Sequence, residues 1–67
     1  MYTKIEDLRA ERFWAEVFIR NAERELETVL SDSNRAFVEG YIARQRQHLA
    51  DVNARLLAAQ EQQAAAI

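Results

Sequence analysis

Any chemistry in this chain would have to start from His48, its one imidazole, and from whatever nucleophile, acid or metal ligand could be brought to it. There is no cysteine, which removes thiolate catalysis, disulfides and thiolate metal sites together. The hydroxyls of Thr3, Ser31 and Ser33 fall where helix caps or a turn are expected, and a lone histidine makes no triad with them. Di-iron bundles need Glu-x-x-His on a helix, and the nearest string here is Gln45-Arg46-Gln47-His48. No glycine-rich phosphate loop is present. Glu23, Glu25 and Glu27 alternate with Arg20 and Arg24, the pattern of a solvated face of weak ion pairs and not of a metal site. Catalysis also needs a water-excluding pocket, which two helices do not build alone. The residues therefore predict a protein that is not an enzyme, with no catalytic residues, no metal and no small-molecule cofactor.

The side chains that remain are suited to binding. In Phe13-Trp14-Ala15-Glu16-Val17-Phe18-Ile19 the large groups point almost all round a helix, whose residues advance by about 100° each. With Ile19 and Leu26 facing a second helix, Phe13 and Val17 lie on roughly the opposite side and Trp14 and Phe18 lie between. Further along, Phe37, Tyr41, Arg44, His48 and Arg55 form a stripe beside the apolar seam of the second helix. Soluble monomers rarely expose several neighbouring aromatics, so these residues predict an interface. It is either a self-interface, closing two hairpins into a four-helix bundle, or an anchor for a different protein, or both at once. The second stripe could grip an acidic protein surface, a phosphate or RNA, or be an ordinary interface edge. Phe13, Trp14, Val17, Phe18, Phe37, Tyr41, Arg44 and His48 are the candidate partner-binding residues.

These residues must be carried on helices. The 67-residue chain has no proline and one glycine, is 49% hydrophobic, and is rich in Ala, Glu, Arg, Leu and Gln, which is helical and not disordered composition. One polar cluster, Ser31-Asp32-Ser33-Asn34, breaks the pattern. The spacing predicts one all-α domain: a helix over 3–31, a turn over 31–34, and a helix over 34–62 with a frayed C-terminal end. Thr3 and Glu6 match a capping box, and Asp32 or Ser33 would cap the second helix. Each helix should be about 40–45 Å long, and so short a turn makes them antiparallel.

A heptad seam runs through Leu8, Arg12, Ala15, Ile19, Ala22, Leu26 and Val29, and another through Val38, Ile42, Gln45, Leu49, Val52, Leu56 and Ala59. Folding about the turn sets Leu26 opposite Val38, Ala22 opposite Ile42, Ala15 opposite Leu49 and Leu8 opposite Leu56. Arg12 and Gln45 interrupt the seam, either to set register or as side chains snorkelling to its edge, with Arg12 expected near Asp51. Gly40, inside a helix, predicts close approach of a neighbouring backbone or is neutral.

A hairpin this small buries little surface, and without disulfides or metal its remaining staple is self-association, so a homodimer is expected. The net charge of −2 gives no global attraction for nucleic acid or anionic membranes, although a local patch could still bind RNA. Met1-Tyr2-Thr3-Lys4 does not begin a signal peptide and no apolar run reaches membrane-spanning length, so a cytoplasmic protein without membrane partners is expected.

Leu8-Arg9 followed by Phe13-Trp14 and Val17, Asn34-Arg35-Ala36-Phe37 opening the second helix, Leu49, and Leu57-Ala58-Ala59-Gln60 together carry a resemblance. On these positions the chain resembles small phage-encoded helical-hairpin inhibitors of bacterial host proteins, the group that includes an inhibitor of a quorum-sensing activator and of a pilus-assembly ATPase. It departs from them in the charge run Arg20 to Glu27, at Gly40, and in the polar string Arg44 to His48. The resemblance implies a dimer of hairpins acting in the host cytoplasm by binding and inhibiting or modulating a host protein. Two alternatives remain: an RNA-binding four-helix bundle of the plasmid copy-control type, and a coiled-coil assembly part.

Overall fold

The computed structural model describes residues 4–28 and 30–65. They form two α-helices, α1 (Lys4–Leu26) and α2 (Asp32–Ala65), packed antiparallel as a hairpin with no strand among the described residues. The all-α hairpin expected from the seam spacing is the fold.

The seam residues hold it together. Leu8 packs with Val52, Leu56 and Ala59 near the open end, with Ile5 against them. Ala22 packs with Val38 and Ile42 near the turn, joined by Ile19, Leu26, Leu30 and Tyr41. The expected pairs Leu26–Val38, Ala22–Ile42 and Leu8–Leu56 thus share clusters, and Ala15 is buried at 2% exposure between them. Val29 lies outside the described residues, as does Thr3 of the expected capping box. Arg12 and Gln45 are half-buried at the seam edge, which fits snorkelling. Arg12 does not find Asp51: that carboxylate pairs with Arg55 one turn along α2, at 3.2 Å. An i,i+4 partner on the same helix needs less side-chain ordering than one across the seam.

The turn comes earlier than its polar residues suggest. α1 ends at Leu26, not at 31, because the backbone N–H groups of Glu27 and Thr28 donate to the carbonyls of Arg24 and Glu25, three residues back. The Thr28 hydroxyl also donates to the Glu25 carbonyl at 2.7 Å, a local bond that competes with continued helix. Leu30 supplies the tertiary reason, since it packs into the cluster around Ala22 and Val38, and a straight helix would carry it past that site.

Neither Asp32 nor Ser33 caps α2. Ser31 does: its Oγ accepts from the Asn34 backbone N–H at 3.2 Å, and its carbonyl takes the first helical bond, from Arg35, at 2.9 Å. The helices are therefore unequal, 23 and 34 residues, where two of similar length were expected. α2 stays helical through Ala65 instead of fraying near 62, in keeping with the high helix propensity of Ala and Gln.

Elongation is the property that bears on function. The hairpin measures 54 × 19 × 15 Å with a radius of gyration of 15.6 Å, against about 11 Å for a compact chain of this length. Among the described residues its core is eight side chains, three of them alanine, and only Val52 is fully enclosed.

Candidate functional site

Trp14 and Phe18 sit on α1 one turn apart, both displaced to the same side of the Ala15–Ala22 seam. Phe37 and Tyr41 repeat this spacing on α2, displaced to the same side of the Val38–Ile42 seam. The two flanking stripes are offset from their seams in the same rotational sense, and reversal of chain direction brings equal offsets to one side of an antiparallel pair. That signal is present in the sequence, although each stripe taken alone hides it. The result is one aromatic face.

The face has two adjoining grooves that share Phe18. One is lined by Phe18, Asn21 and Glu25 of α1 with Phe37 and Tyr41 of α2, over seam residues Ala22 and Val38. The other is lined by Glu11, Trp14, Ala15 and Phe18 with Gln45 and His48. Both are open and shallow, with room for side chains of another macromolecule and no enclosed cavity for a small substrate. Phe37 is 70% exposed, Trp14 54% and Phe18 44%, so these rings are far from buried by the hairpin itself.

The rings order one another. Trp14 stands edge-on to Phe13 at 5.2 Å between centroids and lies tilted against Phe18 at 6.2 Å. Aromatic pairs at such distances contribute about 0.5–1.5 kcal/mol beyond their area, and they hold an exposed surface in one shape before a partner arrives.

Of the candidate residues, Trp14, Phe18, Phe37, Tyr41 and His48 therefore meet on one face. Phe13 touches Trp14 but points away from the seam, 56% exposed. Val17 beside it is half-buried, less open than its position opposite the seam implied. Arg44 lies on the exposed flank of α2, and its guanidinium runs back over Gly40, where Nη1 is 3.5 Å from the place a Cβ would occupy. Apart from its two chain neighbours and the helix's own nearby backbone, no other atom of the described residues comes within 4 Å of that place, so within the hairpin Gly40 does not mark a close backbone approach. Gly40→Ala should accordingly raise stability by about 0.5–1 kcal/mol, read as a higher denaturation midpoint with unchanged slope.

Two features lie outside the candidate partner-binding residues. Leu57, 59% exposed, is an isolated apolar side chain on the opposite flank of α2. Arg46 donates to Glu23 across the hairpin at 2.8 Å. With both side chains about half exposed or more, that pair contributes a few tenths of a kcal/mol and mainly pins the register of the two helices. It sits on the face opposite the aromatics, in a groove lined by Glu23, Glu39, Ala43 and Arg46. One broad face of the hairpin is thus charged and the other aromatic.

Among the described residues no three acidic or histidine groups come together as metal ligands, and no helix is long and apolar enough to cross a membrane. No protein family, curated protein or solved structure matches the chain.

Proposed function

We propose that this hairpin is a non-catalytic interaction protein that self-associates into a four-helix bundle and in that form binds a bacterial host protein, inhibiting or modulating it. The observation that carries the reading is the aromatic face: Trp14, Phe18, Phe37 and Tyr41 from two helices gathered on one side, with Phe13 exposed beyond it. The chain exposes 5343 Å², while a compact monomer of 7.8 kDa exposes roughly 4,400 Å². The surplus, on the order of 1,000 Å², is close to what each partner of a standard protein–protein interface buries. The likeness to phage-encoded hairpin inhibitors supports a host protein as the further partner and the host cytoplasm as the compartment.

RNA binding is the weaker reading. Its positive stripe of Arg44, His48 and Arg55 is interrupted by Asp51, which already engages Arg55. A strip so broken offers few phosphate contacts, and it is phosphate contacts that give non-specific affinity.

The test is capture from bacterial lysate with the tagged protein, with and without nuclease, beside a Phe13→Glu variant. The expected result is a host protein in stoichiometric amount that survives nuclease and is lost at least tenfold with Phe13→Glu, while helix content and oligomeric mass are unchanged. RNA that disappears with nuclease would instead establish the nucleic-acid reading. Recovery of the chain alone would leave it an assembly part.

A further inference from the structure

Resting on that reading, we infer that the host partner docks an acidic amphipathic segment along the outward ridge of α1, with an apolar side chain against Phe13 and Val17 and carboxylates on Arg9, Arg20 and Arg24. This ridge is distinct from the aromatic face. Phe13 lies about 100° round the helix from Trp14, so a second copy that covers Trp14 and Phe18 leaves Phe13 open.

The charges of α1 are sorted by side. Glu11 and Glu25 line the aromatic grooves, and Glu23 is held by Arg46 on the opposite face. Within about 40° of Phe13, at 100° per residue, stand Arg9, Arg20 and Arg24, with Glu6 as the one carboxylate and Glu16 about 60° away. All three arginines are exposed, and none forms an ion pair among the described residues. The alternation of Arg20 and Arg24 with glutamates along the sequence therefore does not become pairing in the fold. On a chain of net charge −2, this ridge carries the opposite sign. A partner's carboxylates can engage it without first breaking an internal pair, and complementary charge of this kind selects an acidic partner.

Spacing along the axis sets the pattern the partner must carry. Arg9 stands about 6 Å before Phe13, and Arg20 about 4.5 Å beyond Val17, at 1.5 Å per residue. From Arg9 to Arg24 the footprint is about 22 Å, the length of roughly four helical turns. An apolar residue with Asp or Glu one to two turns to either side matches it, since each guanidinium can hold a carboxylate by two parallel bonds. Phe13, 56% exposed, is the apolar anchor at the centre.

Other anions fit less well. A nucleic acid would run past the ridge onto Glu6 and Glu16, and three guanidiniums release few counterions. An anionic bilayer would receive one phenyl ring and a half-buried valine, whereas surface helices bind lipid through a broad apolar face.

The test replaces Phe13 in the full chain with the photoreactive analogue p-benzoyl-phenylalanine, irradiates it in bacterial lysate, and sequences the attached segment by mass spectrometry. The expected product is a host protein joined through a segment that is net negative and carries several Asp or Glu. Arg9→Glu together with Arg20→Glu lowers its yield at least tenfold at unchanged helix content, while Arg9→Lys with Arg20→Lys keeps most of it. A control without charge substitution follows recovery of the same protein by the parent chain from about 0.05 to 0.5 M salt, over which screening should reduce it at least tenfold. An attached segment that is neutral or basic, or a yield indifferent to charge reversal and salt, overturns the inference and leaves the host-binding reading standing. Attachment to phospholipid, to RNA or only to the chain itself overturns it as well. If the parent chain captures no host protein at all, the reading fails and this inference fails with it.

Discussion

Trp14→Ala weakens self-association about a thousandfold while leaving the hairpin helical. A buried tryptophan at the centre of an interface contributes on the order of 2 kcal/mol or more, and two-fold symmetry removes two of them at once. About 4 kcal/mol corresponds to roughly three decades in dissociation constant. The fold should survive because Trp14 is 54% exposed within the hairpin and belongs to neither seam cluster. Its ring neighbours Phe13 and Phe18 lose a packing partner, not their helix. Sedimentation equilibrium across a concentration series checks the first half and far-ultraviolet circular dichroism the second. A Trp14→Ala chain that stays dimeric at micromolar concentration would show that the aromatic face is not what joins two copies, and the face would then be free for a different protein.

What the sequence made legible is what repeats. Leu8, Ala15, Ala22, Val38, Ile42, Val52, Leu56 and Ala59 belong to two seams whose positions recur at alternating intervals of three and four, and every one of these eight is buried. Such a pattern specifies two helices and the sides they turn to each other, whatever the surroundings. The boundaries were less legible because they depend on single contacts. The polar cluster Ser31–Asn34 marks where a break is needed, yet the chain leaves α1 five residues sooner, drawn by Leu30 into the cluster around Ala22 and Val38. No local propensity encodes a contact that exists only once the second helix is in place. Ser31 in place of Asp32 or Ser33 as the cap is the same effect at smaller scale, since the cap falls wherever the tertiary turn leaves the first free N–H groups.

The candidate site divides in the same way. That Trp14 and Phe18 cannot face the seam follows from helical geometry alone. That they share a face with Phe37 and Tyr41 requires the stripes of both helices to be considered with the chain reversed between them. Arg12 and Gly40 were the weakest positions because each depends on one neighbour: Asp51 is engaged by Arg55, and the space at Gly40 is bordered by the flexible end of Arg44.

Val52→Asp abolishes folding at any practical concentration. Among the described residues Val52 is the one fully enclosed side chain, at 0% exposure, and it joins Leu8, Leu56 and Ala59 into the buried cluster near the open end. Aspartate there must either lose its hydration or hold the two helices apart, and an uncompensated buried charge costs several kcal/mol. Chains of this length have total stabilities of roughly 3–10 kcal/mol, and a hairpin whose core is partly alanine belongs at the low end. The substitution therefore exceeds the margin. Association cannot rescue it, because the aromatic face that a second copy would cover exists only when the seam holds α1 and α2 side by side. The same linkage makes the melting temperature of the unsubstituted chain rise with protein concentration, as it must when folding and dimerisation are coupled. Thermal melts followed by circular dichroism check both statements, with Ala50→Asp, an exposed position on the same helix away from the aromatic face, as the control that should melt within a few degrees of the parent. Helical Val52→Asp with a cooperative melt would mean that the seam does not hold the hairpin, whereas a melting temperature independent of concentration would mean that a single copy is stable alone.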